Sequence, residues 1–128
     1  ATDIMAVESA FCPRDVFRLL AMPVCDLIHI KLMKAGGLAP AAQIAAMADA
    51  TGVACMMGCM LESKVGITAA AALSAGKAVI TKNDLDAADL MAADPVQGGI
   101  TYDKDHLVVP DAPGLGITAI DGWLPLKD

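Results

Sequence analysis

Residues 25–58 read CDLIHIKLMKAGGLAPAAQIAAMADATGVACMMG. Cys25–Met33 sets Leu27, Ile28, Ile30 and Leu32 around His29 and Lys31, which predicts a strand, and Gly36-Gly37 breaks it. Pro40–Thr51 places Ala41, Ile44, Ala45 and Ala48 on one helical face, with Gly52 as the C-terminal stop. Val53–Gly58 is the next strand. These strands are apolar runs with little alternation, as expected of parallel strands covered on both faces. Strand, helix and parallel strand in this order make the chain α/β.

The same unit repeats on either side. Asp3–Val7 is a short apolar run, and Pro13–Met22 carries Val16, Phe17, Leu19 and Leu20 at helical spacing, with Pro13 in the first turn. Downstream, Ser63–Ala75 is a helix closed by Gly76, and Ala78–Thr81 is a short β-branched strand. Strands therefore begin near positions 3, 25, 53 and 78. That spacing, a βα period of roughly 25 residues, fits an arc of a (β/α) barrel or a small doubly wound sheet. In a barrel the chemistry lies just after the strands.

After Ala92 the character changes. Asp94-Pro95, Gly98-Gly99, Pro110, Pro113, Gly114 and Gly116 punctuate short runs, and Tyr102–Val109 predicts a hairpin turning at Asp103-Lys104-Asp105. Residues 1–92 are thus expected to be βα units and 93–128 a hairpin-bearing tail. The sole Trp, Trp123, is expected to pack against a neighbouring surface.

Composition narrows the function classes. The 128 residues carry a net charge of −6, which argues against nucleic-acid binding by phosphate neutralisation and against a polybasic membrane surface. Apolar residues make up 56% and aromatics 3%, so the core is built from Ala, Leu, Ile, Val and Met. No apolar run approaches the roughly 18 residues of a membrane span. Cys12, Cys25, Cys55 and Cys59 form no Cys-x-x-Cys pair, and no secretion signal is visible. Reduced thiols and a cytoplasmic location are expected.

Several strand-end residues carry chemistry. Lys31 closes an apolar strand, where an ammonium is costly to bury. It reads either as a general base or Schiff-base Lys or as a Lys that snorkels to the rim. Lys34 lies in the following loop and is expected to be solvated, and Gly36-Gly37 is expected to be a plain turn. Asp84 and Asp86 follow the fourth strand at i, i+2, and in extended backbone both carboxylates point one way, toward a cation or an ammonium. The alternative is a helix N-terminal turn. Gly58-Cys59-Met60 follows the third strand, where the Gly lets a ligand approach. Cys59 as a nucleophile would need His29 or His106, and zinc held by Cys25 and His29 lacks paired ligand spacing.

Read together, DLIHIKLMKAGGL (26–38), GVACMMGCMLESKVGITAAAA (52–72), DLDAADL (84–90), PVQGGI (95–100) and PGLGI (113–117) resemble the enolase superfamily. Within its muconate-lactonizing subgroup they look most like the dipeptide (L-Ala-D/L-Glu) epimerases. The resemblance implies the C-terminal part of a (β/α)7β barrel, from about the fifth strand onward, with a tail that returns to a capping domain. It implies abstraction of a proton α to a carboxylate, with Mg2+ stabilising the enediolate. Lys31 matches the general acid/base after the sixth strand, and the opposing Lys-x-Lys base would lie upstream. Asp84 and Asp86 match the pair that holds the substrate's ammonium, and Gly58, Cys59 and Met60 would line the pocket. Muconate cycloisomerase and o-succinylbenzoate synthase chemistry fit Asp84-x-Asp86 less well.

The resemblance has one departure. Where the family has Ala-Asp-Glu-Ser, this chain has Ala6-Val7-Glu8-Ser9, so Val7 stands at a metal-ligand position. A shift of one residue to use Glu8 would reverse the side-chain direction. The other family ligands would lie on upstream strands. The chain alone is therefore expected to bind no Mg2+ and to be inactive on a dipeptide. The contrasting expectation is a non-catalytic half-barrel that self-associates or complements a partner chain through its open sheet edges.

Overall fold

The computed structural model describes residues 2–22 and 24–122. Its centre is a parallel sheet of four strands in the order β1-β2-β3-β4: β1 (Met5–Ala6), β2 (Leu27–Lys31), β3 (Ala54–Gly58) and β4 (Ile80–Asp84). Helices α1 (Pro13–Leu20), α3 (Leu38–Thr51) and α4 (Lys64–Ala75) make the crossovers, and α2 (Leu32–Ala35) is a single turn at the end of β2. The α/β barrel arc read from the sequence is the observed architecture.

One face of the sheet builds the core. Ile28 and Ile30 of β2 and Cys55 and Met57 of β3 are fully buried, together with Ile44 and Ala45 of α3, Val16 of α1 and Ile67 of α4. Small side chains let the helices approach the sheet closely, so Ala41, Ala48 and Ala70 are also buried.

Of the boundaries that differ from the sequence reading, three bear on the strand ends and the crossover between them. The second strand ends at Lys31 and not at Met33, because α2 begins there and closes on Gly36 and Gly37, both with positive φ and both donating to the Leu32 carbonyl at 3.0 and 2.9 Å. Helix α3 starts at Leu38, two residues before the expected Pro40. Proline is tolerated there because the first-turn N–H groups have no partner within the helix. Strand β4 runs on to Asp84 and does not stop at Thr81, which places Asp84 inside the sheet.

The tail holds the predicted hairpin, β6 (Thr101–Asp103) with β7 (His106–Val108), whose turn puts Lys104 at φ 57. It also holds an unpredicted antiparallel pair, β5 (Val96–Gly98) with β8 (Ile117–Ile120). Ile100 is buried in the same core cluster as the sheet. Its N–H donates to Thr68 Oγ1 at 3.1 Å, and the Tyr102 hydroxyl donates to the Leu85 carbonyl at 2.8 Å. Trp123 lies outside the described residues.

Asp94 pairs with Lys64 on α4 and ties the start of the tail to the helix. That hydrogen bond, helped by the Val96 N–H against a smaller desolvation cost, holds the Asp94 carboxyl below its ordinary 3.8. A depressed folded-state pKa contributes stability above the unfolded value and loses it as pH falls through the folded one. The stability advantage over Asp94→Asn, read by urea unfolding, is therefore expected to shrink as pH drops below 3.8. A pH-independent difference would contradict it.

Candidate functional site

The sheet register sets the site. Lys31 pairs with Gly58, and Gly58 with Asp84, so one row across β2, β3 and β4 carries an amine, a gap and a carboxylate. Residues in register on parallel strands leave the sheet on the same face, so Lys31 and Asp84 share the face opposite Ile28, Ile30 and Met57. The row sits at the C-terminal end of the strands, where a barrel places its chemistry.

Around this row the third βα loop is tightly tied. Lys31 Nζ donates to Met60 Sδ at 4.0 Å. The Met60 N–H donates to Glu62 Oε1 at 3.0 Å, and Cys59 Sγ donates to the Asp84 carbonyl at 3.3 Å. Gly58 is buried, Cys59 half-buried and Met60 exposed. Beyond β4, Leu85 is buried between two exposed carboxylates, so Asp84 and Asp86 both face outward. A cleft of about 250 Å³ beside them is walled by Tyr102, Lys104 and His106 of the hairpin. Asp84 is a strand residue, so no helical turn starts there, whereas one does start at Asp86, whose carbonyl accepts from the Asp89 and Leu90 N–H groups at 2.9 and 3.3 Å.

Thiol chemistry finds no support. Burial pushes the Cys59 thiol up, against a lowering hydrogen bond from Ala87, and Asp86, Asp84 and Glu62 push it further. Burial likewise takes Cys55 up to about 12. His106 is exposed beside Asp105 at 2.8 Å, and neither ring nitrogen of His29 has a partner among the described residues. Neither histidine forms a hydrogen bond with Cys59 among the described residues.

Lys34 is not solvated as expected; its side chain is 6% exposed. The α2 turn carries it back over the end of β1, where Nζ donates to the Val7 carbonyl at 2.6 Å and meets Glu8 Oε2 at 3.3 Å. The Phe11 ring lies 4.6 Å below the ammonium.

The residues present do not fit Mg2+. Val7 offers no ligating side chain, and the adjoining carbonyl and carboxylate already hold an ammonium. Among the described residues no three His, Cys, Asp or Glu side chains converge to hold a metal ion.

The sequence reading missed the placement of Lys34 and the burial of His29. A signal for the second was available: His29 is two residues before Lys31, so both leave the strand on one face.

Residues 1–122 match the family described as Enolase C-terminal domain-like. The chain is 52% identical over 118 residues to the L-Ala-D/L-Glu epimerase of Clostridium acetobutylicum, covering 92% of this chain and 33% of that protein. The substrate-liganded structure of the L-Ala-D/L-Glu epimerase from Bacillus subtilis superposes with a TM-score of 0.91 at 51% identity, covering 93% of this chain and 33% of that one. The dipeptide epimerase of Enterococcus faecalis, complexed with Mg and L-Leu-L-Tyr, gives 0.88 at 44% identity, covering 91% and 34%. The chain thus spans about a third of the length of these relatives.

Proposed function

The chain belongs to the Enolase C-terminal domain-like family, and from that membership we propose that it supplies one side of a 1,1-proton-transfer site acting α to the carboxylate of a dipeptide. Lys31 is the acid/base on one face of the α-carbon. Asp84 and Asp86 hold the substrate's N-terminal ammonium, and Gly58, Cys59 and Met60 form the floor between them. The observation that supports this reading is the row Lys31–Gly58–Asp84, which brings an amine and a carboxylate to one sheet face at the C-terminal end of the strands.

Epimerisation needs a second base on the opposite face, and no residue of this chain is assigned to it. Mg2+, present in the E. faecalis relative's structure, would be held by residues outside this chain. The chain alone is therefore expected to be inactive. Residues 93–128 would pack on a capping domain. The four free thiols fit the reducing cytoplasm we assign to the protein, and among the described residues no helix is long and apolar enough to cross a membrane.

A second reading is a non-catalytic half-barrel, and Val7 favours it. Its open sheet edges and exposed Phe17 and Leu61 would then be covered by a second copy or a complementing chain.

The test is exchange of the α-proton of L-Ala-L-Glu into D2O. A graft in which residues 2–122, carrying Val7→Asp, replace the matching third of the B. subtilis epimerase is expected to catalyse exchange. A folded graft without exchange would overturn the reading and leave the half-barrel.

A further inference from the structure

His29 shares the sheet face of Lys31, yet it is only 5% exposed. Neither ring nitrogen has a hydrogen-bond partner among the described residues. Burying an imidazole in this state costs free energy that an apolar side chain of the same size would not cost. Packing alone therefore does not explain the residue.

The ring occupies a notch. Gly58 lacks a Cβ, and a Cβ built there would overlap His29 Nε2 and stand 2.9 and 3.0 Å from Cε1 and Cδ2. Gly58 is the middle member of the row whose outer members are Lys31 and Asp84. The imidazole thus lies against the backbone that separates the amine from the carboxylate. Four charged groups act on it: burial and then the Lys31 ammonium hold its pKa below the ordinary 6.5, Asp84 opposes, Lys34 lowers it further, and Glu8 opposes. At neutral pH the wedge is uncharged, so it fills the gap without screening either neighbour.

We propose that His29 is a positioning residue of the strand-end site: its imidazole, seated over Gly58, sets the separation of the Lys31 amine from the Asp84 carboxylate. The catalytic meaning of that separation rests on the reading of Lys31 and Asp84 given above; the wedge itself does not.

NMR of the chain, following the His ring and Lys Cε signals across pH, tests it without requiring turnover. In the unmodified chain the His29 ring is expected to titrate below the ordinary histidine value. His29→Ala is expected to shift the Lys31 Cε signals while leaving those of Lys77, a surface lysine, in place. Gly58→Ala, which evicts the ring, is expected to move Lys31 in the same way, and the double variant to move it no further than either single one. A His29 that titrates at the ordinary value, or Lys31 signals that ignore the loss of the ring, would overturn the proposal. If Gly58→Ala does not fold, the first two measurements still decide. Loss of the Lys31 chemistry would leave these shifts intact, and absent shifts would leave the exchange test standing, so the two readings fail separately.

Discussion

Replacing Lys31 by Ala in the exchanging graft is expected to slow incorporation of solvent deuterium at the substrate α-carbon by about 100- to 10,000-fold, the usual contribution of a positioned acid/base. The loss should fall on the chemical step and not on folding. Lys31 is half-buried and donates to a thioether sulfur at 4.0 Å, and among the described residues it makes no ion pair, so its removal breaks only a weak contact there. Lys31→Arg should lose a comparable factor, because a guanidinium keeps the charge yet cannot give up its proton. A Lys31→Arg variant with near-normal exchange would show that the position supplies charge and no proton transfer. The alternative weighed from the sequence, a Lys that snorkels to the rim, predicts little change for either substitution.

The second large effect concerns the carboxylates. Asp84→Asn together with Asp86→Asn in the same graft keeps the shape of both side chains and removes both charges. A hydrogen bond to a charged group is worth about 1.5–3 kcal/mol, which corresponds to roughly 10- to 150-fold in affinity. We therefore expect KM for L-Ala-L-Glu to rise by roughly that factor, with kcat much less affected, because the ammonium keeps its charge throughout the reaction and is bound equally in ground and transition states. An N-acetylated dipeptide, which has no ammonium, should show no such sensitivity. The burial at Asp84-Leu85-Asp86 makes the prediction specific: Leu85 is buried, its carbonyl held by the Tyr102 hydroxyl at 2.8 Å, and the carboxylates on either side of it are exposed. An equal loss for the acetylated substrate would mean that the pair supports the loop and does not read the ammonium.

Most of the architecture was legible because a parallel βα arc writes itself as apolar runs separated by Ala-rich helical stretches. Ile28 and Ile30, Cys55 and Met57, and Ile44 with Ala45 are the core residues that those runs announced. The boundaries were less legible where local chemistry decides them. Leu32 and Met33 are as apolar as the strand before them, and only the double left-handed glycine that follows lets the chain coil into α2. That one turn also determines Lys34, since it carries the side chain back to the end of β1 and away from water. The pair β5–β8 was not legible at all. Its two short strands lie about twenty residues apart, and no periodicity can develop over three or four residues.

The site divides in the same way. Lys31, Asp84 and Asp86 were visible as charges at strand ends, and the register shows that the first two share a row with Gly58. The role of Gly58 was only half legible. The sequence suggested room for a ligand to approach, whereas the structure fills that room from below with the His29 ring. Val7 was visible as a departure, and the structure adds that its carbonyl is held by the Lys34 ammonium.

Isotope exchange at the α-carbon of L-Ala-L-Glu, followed by proton NMR in D2O for the isolated chain and for the graft side by side, bears most directly on whether this chain carries one side of a two-sided site. Exchange by the graft and none by the isolated chain, with or without added Mg2+, is the expected result. Mg2+-dependent exchange by the isolated chain, abolished by Lys31→Ala, would contradict it.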